Sequence, residues 1–282
     1  MLNALVPSSV RLFILITLCA LFAPAGAWAI EKDGMPDLTQ TEATCLPTST
    51  ANLMIWFGHH GYPKMLPLGG TEEDRDWSVI QHLMTDTNAR FDLGTERARE
   101  VSGIEKYIRD AGYGSDVEFR GVLASGETFS LDWLKQNDQP DTGFILILAY
   151  CRWNPDTRVL TPALRVGHAV TLVNAEPDFL LVHDPGHLDN ETGRKILTPT
   201  PLSQATLQDG PDSEPADGAV LLDGSLLHAP DDAQVVLVGA IRVTIHENEK
   251  EAVAATPSHH NYIAANAVPP WWACIFRFFF AK

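Results

Sequence analysis

Three residues of the types that support nucleophilic catalysis occur along the chain in the order Cys45, His168 and Asp184. Cys45 opens an apolar stretch that is predicted to be helical, His168 begins a predicted strand, and Asp184 ends the next one. A helix N-terminus and a nearby imidazolium both favour a thiolate, and a carboxylate can fix the tautomer of the imidazole. The pattern therefore predicts Cys45 as nucleophile, His168 as general base and acid, and Asp184 as the group that orients the histidine.

The strand that begins at His168 and the strand that ends at Asp184 are predicted to form a hairpin. A turn-like segment, Ala175–Asp178, separates them, and Pro185 stops the second strand. In an antiparallel pair, opposed residues have numbers with a constant sum. A turn centred near position 176 therefore places His168 directly opposite Asp184, with both side chains on one face of the sheet.

Gln40 is the predicted fourth member of the site. It lies shortly before Cys45, in the loop that leads into the predicted helix. Its side-chain amide could donate to a developing oxyanion alongside the backbone N–H of Cys45. We therefore expect Gln40 to complete an oxyanion hole.

These segments resemble the C39-like branch of the papain-fold cysteine peptidases. The resemblance covers roughly residues 35–190 and rests on Cys45-Leu-Pro-Thr-Ser, Gly167-His168-Ala-Val and His183-Asp184-Pro185. Members of that group usually show Cys-Gly-Pro-Thr-Ser at the nucleophile, so Leu46 departs from the pattern. The resemblance implies a papain-like fold and these roles: nucleophile Cys45, general base and acid His168, orienting carboxylate Asp184, and oxyanion donor Gln40.

The elements that must position the site change in type along the chain. Helical spacing of apolar residues comes first and strand-like patterns follow. Helices are predicted at 45–61, Trp77–Thr85, Thr95–Tyr113 and Ser130–Gln136, and strands at Phe144–Tyr150, Ala169–Asn174, Phe179–His183 and Gln234–His246. This order predicts an α+β, papain-like cysteine proteinase fold, whose N-terminal helical part has a central nucleophile helix packed on an antiparallel β-sheet.

The start of the chain is typical of an export signal. Arg11 precedes an apolar run, and Ala27-Trp-Ala29 supplies the small residues that signal peptidase requires. The run is short for a bilayer span, which makes a retained transmembrane helix the weaker alternative. Residues 1–29 are therefore predicted to be a signal peptide, and the protein to be exported to a periplasmic, cell-surface or extracellular location.

The rest of the chain is predicted to be one domain and a tail. The domain covers 30–247 and includes an acidic surface insertion at about 207–232. A polar linker at 248–267 then leads to a short aromatic tail at 268–282. Aromatic residues around Arg277 suit weak contact with a membrane surface, or docking on the domain itself.

The net charge and the number of cysteines further limit the functions that the chain could have. The net charge of -16 argues against nucleic acid as a partner. Removal of the signal would leave Cys45, Cys151 and Cys274, an odd number, so at least one thiol stays free or pairs between chains. Cys151 follows a buried strand and is predicted to be a packing residue. A Cys45–Cys151 disulfide would abolish the chemistry described above.

No metal or other cofactor is expected. His183, Asp184 and His187 are close in sequence, but neighbouring strand residues point to opposite faces of a sheet. The Pro185-Gly186 pair also precludes a helical pair of ligands one turn apart.

Three functions remain open on the sequence. The favoured hypothesis is an exported cysteine hydrolase that cleaves a peptide or amide bond of a peptide or protein substrate through a thioester acyl-enzyme. The second is an acyltransferase that resembles transglutaminases or phytochelatin synthases and uses the same residues. The third is a non-catalytic papain-like binding module, which Leu46 and the aromatic tail favour. The sequence leaves the oligomeric state open.

Overall fold

The computed structural model describes residues 31–41, 43–89, 97–122, 129–188, 191–210, 212–224 and 230–247. The predicted signal peptide, the predicted linker and the aromatic tail lie outside these residues, as does Cys274. Within the described part of the chain, no helix has the length and apolar character needed to cross a membrane.

Four α-helices and nine strands occur in the described residues. The helices are α1 (Cys45–His59), α2 (Glu72–Asp86), α3 (Arg97–Asp110) and α4 (Leu131–Gln136), with a 3-10 turn at Pro63–Met65. The strands are β1 (Gly114–Gly121), β2 (Thr142–Asn154), β3 (Val159–Ala175), β4 (Leu180–His183), β5 (Arg194–Pro201), β6 (Thr206–Asp209), β7 (Asp212–Pro215), β8 (Val220–Asp223) and β9 (Gln234–His246).

The helices form where the sequence supplies start signals and apolar faces. Thr71 and Asp74 make a capping box at the start of α2, each side chain bonding the other's backbone N–H. Ser130 caps α4 by accepting a bond from Trp133 N. In α1, Pro47 lies in the first turn, where backbone amides have no partner within the helix.

Six of the strands close into an antiparallel barrel. The ring runs β2-β3-β4-β5-β8-β9 and returns to β2, and every pairing within it is antiparallel. β1 pairs with Gly239–His246 of β9, beyond the stretch that pairs with β8, while β6 runs parallel to β3 and pairs with β7. Closure leaves no open edge within the ring itself.

The predicted fold class was therefore wrong. The structure is mostly antiparallel strand closed into a barrel with short helices, and it is not a helix-packed papain-like α+β arrangement. The sequence analysis assigned no strand to β5 or β8, which complete the ring. β5 buries only Leu197 fully and contains Pro199 and Pro201, so the alternation that marks a strand is absent from its sequence. The predicted acidic insertion contains β7 and β8.

The barrel wall separates two apolar clusters. All six barrel strands contribute to the inner cluster, through residues such as Leu146, Val170, Val182, Leu197, Val220 and Leu237. The outer cluster joins α1, α2 and α3 to the opposite faces of the same strands, at Ile145, Ala169, Leu181 and Ile241. The strand alternation that fills the barrel thus also creates the apolar outer face on which α1 packs.

Residues 31–41, called here the N-terminal strap, run along α1 toward its first residue. Lys32 N donates to Val173 O, Trp56 Nε1 donates to Asp33 O, and Leu38 N donates to Asn52 Oδ1. The strap therefore crosses β3 and then follows the helix backwards to the start of α1.

A buried ion pair anchors the first residues of the strap. The Lys32 ammonium pairs with the carboxylate of Asp138, and both side chains are almost fully excluded from solvent. The same ammonium lies 5.7 Å from the ring centre of Trp56. Two charges removed from water together are tolerated only while both are present, because either one alone would remain buried and uncompensated.

We predict that Lys32→Ala destabilises the protein by about 3–5 kcal/mol, since it leaves the Asp138 charge buried without its partner. Urea unfolding of the purified protein measures the change. The double variant Lys32→Met with Asp138→Leu should be far closer to the wild type, because it removes both charges and keeps the volume filled. A double variant as unstable as Lys32→Ala would contradict this explanation.

Candidate functional site

Cys45 is the first residue of α1 and is partly buried against the outer apolar cluster. The residue before it, Thr44, directs its hydroxyl to the backbone of Thr41 and does not cap the helix. The amides of the first turn are thus left to a group at the helix end, which is the environment that favours a thiolate.

Polar contacts fix α1 over the strand that carries His168. Ser49 lies one turn after Cys45, and its hydroxyl donates to the carbonyl of Ala169 (2.9 Å). The hydroxyl of Thr171 donates in turn to the carbonyl of Ser49 (2.8 Å) and accepts a bond from Asn52 Nδ2 (3.3 Å). Because Ala169 follows His168, these bonds set the start of the helix beside the histidine.

His168 and Asp184 form a buried hydrogen bond. His168 Nε2 lies 2.6 Å from Asp184 Oδ1, and their side chains are 5% and 0% exposed. The same carboxylate oxygen accepts a bond from Gly186 N (2.8 Å). Asp184 engages Nε2, which leaves Nδ1 for Cys45, and the Cys45 side chain is close enough to the imidazole to raise its pKa.

The hairpin places these two residues diagonally, so the predicted direct opposition was wrong. Thr171 pairs with His183, and continuing this register places Asp184 beside Val170, two residues from His168. The turn is centred later than predicted, since Ala175 pairs with Leu180, and a bulge between Leu172 and Asn174 reduces the offset by one residue. A shift of two residues keeps both side chains on one face, where diagonal neighbours are within reach of an imidazole.

The surroundings hold His168 in its charged form. Burial alone would lower its pKa, but hydrogen bonds to Asp184 and Cys45, together with the charges of both residues, raise the pKa to about 10. An imidazolium between a thiol and a carboxylate is the arrangement that stabilises a thiolate. The electrostatics therefore match the chemistry that Cys45 would require.

Gln40 lies at the end of the strap, next to the segment that follows Asp184. Its backbone N–H donates to the carbonyl of Pro185 (2.7 Å). The structure therefore brings Gln40 close to the loop after β4, and Gln40 also precedes Cys45 closely in the chain. The oxyanion role of its side chain stays a prediction.

Sequence reasoning missed Tyr150, which belongs to the same region. Tyr150 is buried on β2, and burial raises the pKa of its hydroxyl, with further contributions from the charges of Asp184 and Cys45. It ends the apolar run at 144–150, so the sequence marked it only as a core residue. The phenol remains protonated and adds a neutral polar group to the site.

Asp37 was also missed. Its Oδ2 accepts bonds from Gly193 N (2.8 Å) and Thr192 Oγ1 (3.0 Å). Its Oδ1 lies 3.6 Å from His187 Nε2 and 3.9 Å from His183 Nδ1. Asp37 could not be recognised as part of the site from the sequence, because its partners Thr192 and Gly193 are far away in the chain.

The histidines around Asp37 are held by backbone carbonyls. His183 Nδ1 donates to Pro36 O (2.7 Å), and His187 Nδ1 donates to Leu188 O (3.0 Å). Among the described residues, no group of three or more His, Cys, Asp or Glu side chains is arranged to hold a metal ion.

A cleft of about 560 Å³ opens between the strap and α2. Its lining residues are Leu38, Thr39, Glu72, Glu73, Asp76, Trp77 and Ile80. The hydroxyl of Thr39, in the wall of the cleft, lies 3.2 Å from His187 Nε2, the imidazole that faces Asp37. Burial, and then the charge of Glu72, raise the pKa of Asp76. One wall of the cleft is thus acidic and carries a partly exposed indole.

Cys45 and Cys151 are both free thiols. Cys151 is buried, and burial raises its pKa to about 12. A thiol in that environment is unreactive at neutral pH, as expected of a packing residue.

Comparison with known proteins gives little further information. No family model matches the chain, and no curated protein matches it. Among solved structures, the Pseudomonas avirulence protein AvrPphB is similar with a TM-score of 0.26 and 16% identity, over 61% of this chain and 79% of that one. A similarity of this size does not establish a common fold or activity. The C39-like resemblance is therefore confined to the short motifs.

We predict that Asp184→Asn lowers the pKa of His168 well below about 10, since the largest favourable contact is weakened while burial still opposes the charge. Histidine ring signals followed by NMR between pH 5 and 11 measure the change. His246 is the internal control, because it pairs with Asp116 (3.1 Å) and not with Asp184.

The raised pKa of His168 also makes the stability of the folded protein depend on pH. A histidine whose folded pKa lies above its unfolded value of about 6.5 contributes stability that is fully present below that value and is lost as pH rises through about 10. The wild type should therefore lose more stability than Asp184→Asn between pH 6.5 and 10. Equal losses would show that the pair is not charged.

Proposed function

We propose that this protein is a cysteine hydrolase that cleaves a peptide or amide bond. The observation that carries the proposal is the buried hydrogen bond between His168 and Asp184 (2.6 Å), together with the closeness of Cys45 to the same imidazole. The position of Cys45 at the first residue of a helix supports the same chemistry. So does the motif resemblance to C39-like cysteine peptidases.

The reaction follows from the positions of these groups. The Cys45 thiolate attacks the carbonyl carbon, and the His168 imidazolium gives its proton to the leaving amine as the C–N bond breaks. The Gln40 amide and the Cys45 backbone N–H donate to the oxygen that becomes negative in between. Water, deprotonated by the now neutral His168, then hydrolyses the thioester, and Cys45 is released.

Asp184 has an electrostatic role in this cycle. A buried carboxylate that is hydrogen bonded to Nε2 keeps Nδ1 directed at the sulfur and stabilises the imidazolium. Neither step requires a metal or an organic cofactor.

Export is part of the proposal. It is supported by the apolar run after Arg11 and by the small residues at Ala27-Trp-Ala29. The partner is then a peptide or protein substrate encountered outside the cytoplasm, and the aromatic tail at 268–282 would make at most weak contact with a membrane surface.

We predict that iodoacetamide labels Cys45 rapidly at pH 6, while His168→Ala loses this reactivity at acidic pH because the imidazolium no longer stabilises the thiolate. Mass spectrometry locates the label across pH 4 to 9. Cys151 is a control within the same chain, since its pKa near 12 keeps it unlabelled. Equal labelling of Cys45 in the two proteins at pH 6 would remove the basis of the proposal.

Profiling with a peptide library then identifies a substrate, and the library includes lysine and arginine peptides because one wall of the cleft is acidic. An added amine nucleophile distinguishes hydrolysis from acyl transfer. Release of the free acid as the main product supports a hydrolase, whereas the amide of the added amine would identify an acyltransferase.

We predict that Gln40→Ala lowers kcat on such a substrate by about 10²–10³-fold, the usual effect of removing one oxyanion donor. Labelling of Cys45 at pH 6 should be unchanged, since Gln40 would act only on the developing oxyanion. A variant that loses labelling as well as turnover would assign Gln40 to the support of the thiolate instead.

A further inference from the structure

Asp184 is held by its backbone as well as by its side chain. Its N–H donates to the carbonyl of Gly193 (2.8 Å), the residue before β5. Its Oδ1 accepts bonds from His168 and from Gly186 N. The position of the carboxylate beneath the imidazole therefore depends on where Gly193 lies.

The position of Gly193 is set in turn by Asp37. Oδ2 of Asp37 accepts bonds from Gly193 N (2.8 Å) and from Thr192 Oγ1 (3.0 Å). Asp37 belongs to the N-terminal strap, so a side chain from the beginning of the domain holds the residue against which Asp184 is bonded. Gly193 thus donates to Asp37 and accepts from Asp184.

The space around Gly193 admits no larger residue. A Cβ atom at this position would meet Asp37 Oδ1, and it would lie 2.5 Å from the carbonyl oxygen of Asp184 and 2.6 Å from Cδ2 of His187. Asp37 Oδ1 and the carbonyl oxygen of Asp184 therefore both pack against Gly193, around the position that a methyl group would take. If the segment that carries Asp37 moved, the segment that carries Asp184 would have to move with it, because both contact Gly193.

The second oxygen of Asp37 is also enclosed. Oδ1 is buried, makes no hydrogen bond within the described residues, and faces His187 Nε2 (3.6 Å) and His183 Nδ1 (3.9 Å). Both imidazoles are fixed by carbonyls, those of Pro36 and Leu188. The carboxylate is thus confined on both sides, as expected of a group that holds a fixed position.

We propose that Asp37 is a positioning residue for the reaction, which holds Asp184 under the His168 imidazole through Gly193. Asp37 contacts neither the Cys45 thiol nor the His168 imidazole. It acts only through its contacts with Gly193. This inference rests on the proposed function, since it assigns the support of the same site.

The variant that tests the proposal is Asp37→Ala, with Asp37→Asn as the conservative partner. The alanine variant removes both acceptor bonds, so Asp184 loses its fixed position and the His168 imidazolium loses support. We expect Cys45 labelling at pH 6 to fall about tenfold, equivalent to one pH unit in the labelling profile. The asparagine oxygen can still accept from Gly193 and Thr192, so Asp37→Asn should retain the wild-type profile.

A matched control is available on the same strap. Glu31 pairs with Arg194 (3.0 Å), which also joins the strap to the start of β5, but both side chains are half-exposed. Glu31→Ala should leave the labelling profile unchanged, because an exposed pair does not fix Gly193. Loss of labelling in Glu31→Ala to the same extent would overturn the proposal, since general loosening of the strap would then explain both results.

The remaining outcomes are decisive. Wild-type labelling in Asp37→Ala overturns the proposal, as does equal loss in the alanine and asparagine variants, which would assign the effect to the negative charge. If Asp37→Ala does not fold, Gly193→Ala replaces it: the added methyl group separates Asp37 from Asp184, and a wild-type profile in that folded variant overturns the proposal. An unreactive Cys45 in the wild type, by contrast, would reject the proposed function itself.

Discussion

The site depends on the burial of one carboxylate. Asp184 has no solvent exposure, and a buried charge is stable only where hydrogen bonds and an opposite charge replace the water it has lost. His168 and Gly186 supply these groups at 2.6 and 2.8 Å. The requirement explains why the histidine is charged, why its Nε2 is engaged, and why the chain turns sharply at Pro185 and Gly186 directly after β4.

The barrel supplies the framework for this pair. Closure places β3 and β4 side by side inside the ring and leaves an apolar outer face for α1. The contacts of Ser49 with Ala169 and Thr171 then fix the helix along β3. A helix packed by apolar contacts alone could slide along the strand, because such contacts are not directional. The polar contacts remove that freedom and bring Cys45 to His168.

The sequence predicted individual helices and strands better than it predicted the closure of the barrel. The apolar runs of β2, β3, β4 and β9 and the apolar character of α1 were sufficient to predict those elements, although β3 begins at Val159, well before the predicted strand. The ring was not predictable, because β5 contains two prolines, β8 has only four residues, and both are recognisable only by their pairing with distant strands. Residue types and order indicated Cys45, His168 and Asp184, whereas the contacts of Asp37 with Gly193 depend on chain folding over a separation of 156 positions.

The contacts divide the site into two parts with separate supports. The Cys45–His168 contact is set mainly by α1 and β3 through Ser49. The strap instead carries Asp37 and Gln40, and the buried Lys32 ammonium anchors its beginning. A displaced strap would loosen the segment that holds Asp184 and would move Gln40, the proposed oxyanion donor. In the proposed mechanism the strap would thus support both the thiolate, through Asp184 and His168, and the transition state, through Gln40.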